Sequence, residues 1–173
     1  MRLIAAALLH LVATDAIAQP VRVPLLAPVA HACISSPFGV RRPPGPHAIG
    51  FHNGNDLPAP AGGAVLAAAN GQVLGIHRRG PGGLEVVIRH GGVVAVYAHL
   101  GSVTPALASG RTRVAAGERI GVVGHSGVTY GMHLFFEVLV SGRAVDPAPY
   151  LGLSACARAA ARKQAGTEAT GEQ

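Results

Sequence analysis

Imidazole and carboxylate groups are the raw material of metal centres and proton-transfer sites, and this chain of 173 residues carries nine histidines beside only eight acidic side chains. His52 and Asp56 lie four positions apart in Phe51-His52-Asn53-Gly54-Asn55-Asp56, so one short segment supplies half of a zinc site. His99 closes Tyr97-Ala98-His99, and His133 opens His133-Leu134-Phe135-Phe136-Glu137. No Glu stands in an HExxH arrangement, which removes the glutamate-base mechanism of helical metalloproteases. Gly124-His125-Ser126-Gly127-Val128 approaches a nucleophile elbow, but its fifth residue is Val and no helical pattern follows, so a serine hydrolase is not expected.

These residues need short strands to position them. Gly and Pro, 24 and 13 residues, are spread without a period, which favours tight turns over long helices. Asn70-Gly71 between Ala64–Ala69 and Gln72–His77 predicts a hairpin. Gly91-Gly92 predicts a second one between Leu84–His90 and Val93–His99. Arg119–Val123 and His133–Val140 complete the strand set, and the expected fold class is all-β, a small antiparallel sheet or sandwich core. On a strand at 133–140, His133, Phe135 and Glu137 share one face, and Leu134, Phe136 and Val138 the other. His31, His47, His77 and His90 read as surface residues.

The ends read differently. Met1-Arg2, an apolar run from Leu3 to Val12 and Ala16-Ile17-Ala18 form a signal peptide over residues 1–18, so the chain is expected to be exported to a periplasm or cell envelope. No later apolar run is long enough to predict an integral membrane segment. Residues 19–31 form a Pro-containing lead-in, 32–151 the β core, and 152–173 a short C-terminal helix, starting near Ser154, with a frayed tail. Export lets Cys33 and Cys156 pair as a disulfide, the alternative being two free thiols. The net charge is +6, but the arginines are dispersed without an aromatic stacking platform, and a nucleic-acid partner is not expected.

Taken in order, Ser36-Pro37-Phe38-Gly39-Val40-Arg41, His52 through Asp56, Asn70-Gly71-Gln72-Val73, Tyr97-Ala98-His99-Leu100 and Gly131-Met132-His133-Leu134-Phe135-Phe136-Glu137-Val138 resemble the LytM-type, lysostaphin-like zinc metallopeptidases over roughly residues 32–151. The resemblance implies a groove that holds one zinc ion and hydrolyses peptide bonds in the stem peptides or cross-bridges of peptidoglycan. It assigns His52 and Asp56 as metal ligands and His99 and His133 as catalytic histidines. The third ligand position is occupied by Phe135, whose ring has no lone pair. Three outcomes stay open: His133 turns inward as the third ligand, His125 swings in, or zinc is absent and the domain binds wall peptides or activates a partner amidase without catalysis.

Overall fold

The computed structural model describes residues 24–47, 50–78 and 80–157, and within these the glycine-punctuated sequence forms twelve short strands. In chain order they are β1 (Gly39–Val40), β2 (Phe51–His52), β3 (Asn55–Pro58), β4 (Ala64–Leu66), β5 (Gly71–Arg78) and β6 (Leu84–His90). Then follow β7 (Val93–Ala98), β8 (Leu100–Val103), β9 (Arg113–Val114), β10 (Arg119–Val123), β11 (His133–Val140) and β12 (Arg143–Val145). Two single-turn helices, α1 (Pro105–Ala108) and α2 (Ala148–Leu151), interrupt them. All strand pairs are antiparallel, so the fold is all-β.

A seven-stranded sheet runs β12-β11-β7-β6-β5-β9, with β3 also paired to β11. A three-stranded sheet, β4-β10-β8, and the β1-β2 pair complete the set. The faces of β11 alternate: Leu134, Phe136 and Val138 are fully buried, while His133, Phe135 and Glu137 are half-buried on the other side. Phe136 meets Tyr97 edge to face at 5.1 Å, and Leu57, Ile88 and Leu100 fill the same core.

The Gly91-Gly92 hairpin forms, with His90 opposite Val93 across its two-residue loop and Gly91 at φ 58°. The Asn70-Gly71 hairpin does not. β4 pairs with β10 in the small sheet, whereas β5 pairs with β6 and β9 in the large one. Gly71 serves close approach instead, because a Cβ there would stand 2.7 Å from the Arg89 carbonyl and the His90 ring.

His90 is also a correction, since it is 1% exposed rather than on the surface. Its Nδ1–H donates to the Asn70 carbonyl at 3.2 Å, which leaves Nε2 to accept from the Tyr97 hydroxyl at 2.8 Å. The same hydroxyl accepts the Ala68 N–H at 2.8 Å. One phenol thus joins β7, the end of β6 and the segment after β4.

Cys33 and Cys156 are bonded, 123 positions apart in sequence. Beside them Ile34 donates to the Ser154 carbonyl and accepts from the Cys156 N–H, so residues 154–156 run extended, and Ala157, the last described residue, is helical. The rest of that expected tail, from 158 on, lies outside the described residues, as does the expected signal peptide. Among the described residues no helix is long and apolar enough to cross a membrane.

Replacing Tyr97 with Phe strands a buried N–H and a buried imidazole nitrogen, and is expected to cost about 1–3 kcal/mol in urea unfolding. Burial, partly offset by the Asn70 and Ala69 carbonyls, holds His90 below its ordinary pKa of 6.5. The unfolded chain therefore takes up a proton that the folded chain refuses. This contribution is complete above pH 6.5 and is lost as pH falls below it. Urea midpoints measured on either side of that value should fall on the acid side, and His90→Gln should flatten part of the change.

Candidate functional site

The register of β11 assembles the site. Phe135 stands directly opposite Asp56 of β3 on one side and Ala98 of β7 on the other, which places the half-buried face of β11 along the floor of a groove of about 590 Å³. His52, Asp56, His99, His133 and Phe135 all line it.

Asp56 is the electrostatic centre. Its Oδ1 lies 3.1 Å from His52 Nε2 and 3.3 Å from His133 Nε2, and its Oδ2 lies 3.4 Å from the Arg41 guanidinium. Burial alone would raise this carboxyl, but the hydrogen bonds and charge of His133 and His52 outweigh it and hold the group well below the usual carboxylate range. Arg41 also donates to Ser36 Oγ at 2.6 Å, and Ser36 pairs with Asp56 through the backbone, so β3 and the Ser36–Arg41 segment are locked together.

Each ring is oriented by a carbonyl. His52 Nδ1–H donates to Pro37 at 3.0 Å, and His133 Nδ1–H to Gly131 at 3.0 Å. Thr129 Oγ1 donates to the same Gly131 carbonyl. His99 Nδ1–H donates to Ser126 at 2.9 Å. All three histidines direct Nε2 away from the carbonyls that hold them.

His99 lies where the chain leaves the large sheet for the small one, between β7 and β8, at φ 63°. Such a backbone is unfavourable for a residue with a Cβ and persists only when its surroundings impose it. Here its N–H donates to Gly82 and its carbonyl accepts from Gly124. Its ring meets His133 at 4.9 Å and Phe135 at 6.1 Å, both edge to face. Burial pushes the His99 pKa down, with the charge of His133 acting in the same direction, against the Ser126 carbonyl and Asp56.

Further along the floor Glu137 and Glu85 face the groove, and burial, then the charge of Glu85, raises Glu137. His125, the loop residue that could have swung in, is exposed. Arg41, Ser126 and the Pro37 and Gly131 carbonyls were missed by sequence reasoning. For the carbonyls no residue type could have signalled the role.

Phe135 fits no metal. Its ring packs on His52 at 5.2 Å and closes the position opposite Asp56 with carbon. Among the described residues no group of three or more His, Cys, Asp or Glu side chains could hold a metal ion. Nε2 of two carbonyl-anchored imidazoles, His52 and His133, nonetheless converges on one oxygen of Asp56.

The loop that orients His99 depends on Gly127, at φ 77°, where a Cβ would come within 2.2 Å of the Pro81 carbonyl. Gly127→Ala should therefore lower the thermal midpoint and release the Ser126 bond to His99, read as a change in the His99 ring ¹⁵N shifts.

The model of peptidase family M23 matches residues 50–147. A DD-carboxypeptidase/endopeptidase, Mpg, of Neisseria meningitidis serogroup B is 40% identical over 123 residues, 70% of this chain but 28% of that protein. The murein hydrolase activator EnvC of Escherichia coli is 39% identical over 95 residues, 54% of this chain and 22% of EnvC. The catalytic domain of lysostaphin from Staphylococcus simulans superposes with a TM-score of 0.60 at 25% identity, covering 70% of this chain and 92% of that domain. The chain thus spans about a quarter of the curated relatives' length.

Proposed function

The chain belongs to peptidase family M23, and from that premise we propose that its groove hydrolyses peptide bonds in the stem peptides or cross-bridges of peptidoglycan, in the periplasm or cell envelope. The observation that carries this reading is the convergence of His52, Asp56, His99 and His133 in one groove, within 3.1–3.3 Å at Asp56 and with the His99 and His133 rings 4.9 Å apart. The exported location rests on the signal-like start and on the wall-directed names of the relatives.

His52 and Asp56 would be two of the donors to a zinc ion, which would supply Lewis acidity toward the scissile carbonyl. The chain's own residues do the rest. His99, with Nδ1–H fixed on Ser126, accepts the proton of the attacking water at Nε2 and returns it to the leaving amine. Asp56 and the Ser126 loop hold the histidines in place. The Phe135 ring and the β-sheet form the floor of the groove beneath these groups.

A second reading has its own observation. Phe135 removes an imidazole from the family's ligand set, and one relative is named an activator of murein hydrolases. On that reading the groove holds wall peptides or serves a partner amidase without cleaving.

Digestion of purified cross-linked muropeptides, followed by chromatography, separates the two. Hydrolysis predicts shortened products with zinc present and a loss of about 10²–10⁴-fold in His99→Ala. A wild type that binds muropeptides and leaves them intact with and without zinc rejects hydrolysis in favour of binding.

A further inference from the structure

The two walls of the groove touch each other. On the β3 side the wall is the Arg41–His47 segment, fastened at its base where Arg41 bonds Ser36 and Asp56. On the β6–β7 side it is the Ser126–Met132 loop, fastened where Ser126 Oγ accepts the Leu84 N–H and Val128 donates to the Pro81 carbonyl. β11 runs between them, with Phe135 opposite both Asp56 and Ala98. Tyr130 crosses from the second wall to the first. Its hydroxyl accepts the His47 N–H at 3.2 Å, and its ring lies so close on Gly45 that a Cβ there would stand 2.3 Å from Cε1. Pro43, Pro44 and Pro46 fix φ around Gly45 and bring no N–H of their own, so this arch is stiff. The exposed Tyr130 ring turns about its own side-chain bonds and is the part that opens.

We propose that Tyr130 is a specificity-determining residue, a clasp across the groove that ranks wall peptides by their bulk. The side chains of His52, Asp56 and His133 are only 5%, 13% and 12% exposed, so a ligand reaches them past the clasp and not from open solvent. The groove, about 590 Å³, continues beyond Tyr130 to Glu85 and Glu137, and an unbranched stem peptide passes along it beneath the ring. A peptide branched by a cross-link needs the ring displaced, and its apparent affinity falls by the fraction of molecules in which the clasp is open. The clasp is slight, since one exposed hydrogen bond of ordinary net strength favours the closed form by about 5–10-fold. It therefore ranks ligands without barring either. The inference rests on the reading that this groove receives wall peptides, and it does not require that the groove cleave them.

Titration calorimetry of the full chain in a His99→Ala background, so that nothing is cleaved, tests it with an unbranched muropeptide and a cross-linked one. With Tyr130 in place the unbranched ligand is expected to bind about 5–10-fold more tightly. Tyr130→Ala removes the ring, and Gly45→Ala drives it off while keeping it, so both variants should lose this preference. The clasp is also read directly in the proton spectrum of the free protein, where the Tyr130 ring should displace the Gly45 Hα resonances and Tyr130→Ala should return them to ordinary values. Adding the cross-linked ligand should abolish that displacement, and adding the unbranched one should not. Gly45 resonances that ignore Tyr130→Ala, or a preference that survives in both variants, overturn the inference. A protein that binds both muropeptides without discrimination sinks the ranking alone, whereas one that shows the clasp and binds neither sinks the peptidoglycan reading and the ranking with it.

Discussion

The antiparallel register of β11 against β3 and β7 determines which side chains meet in the groove. A strand offers alternate residues to opposite faces, so Leu134, Phe136 and Val138 are committed to the core and His133, Phe135 and Glu137 to the groove. Burial of the first set prevents a one-residue slip, because a slip would bring a histidine, a glutamate and a groove phenyl into the core. The pairing that sets Phe135 opposite Asp56 is therefore held by the hydrophobic core behind it.

Around that constraint the backbone does much of the chemical work. Carbonyls of Pro37, Gly131 and Ser126 each hold one imidazole by its Nδ1–H and direct Nε2 elsewhere. The unfavourable backbone of His99 has a simple origin: it is the point where the chain crosses from the seven-stranded to the three-stranded sheet, pinned between Gly82 and Gly124. The groove edge is built from glycine-rich loops because only residues without a Cβ let the 80–83 and 124–127 segments touch.

Charge is balanced locally rather than by the overall excess of arginine. Asp56 is surrounded by Arg41, His52 and His133, while Glu85 and Glu137 stand further along the floor. Arg41 thus offsets the Asp56 carboxylate at the centre, and two glutamates line the far floor.

Much of this was legible in the residues alone. Alternation and glycine punctuation specify an all-β antiparallel fold, the Gly91-Gly92 hairpin, and the two faces of β11, because these depend on neighbours two to ten positions apart. The order of motifs points to the groove residues and to Phe135 as the departure. Local signals failed where distant chain segments compete. Asn70-Gly71 has the composition of a hairpin turn, but β10 and β6 claim its two flanks, and Gly71 is needed for clearance against His90. His90 looks like a surface residue at a hairpin end until Tyr97 and Asn70 supply it with buried partners. The direction in which His133 points, into the open groove or onto Asp56, was likewise beyond the sequence. It is decided by a carbonyl two residues upstream and a carboxylate on another strand, and only folding brings those three groups within hydrogen-bond distance.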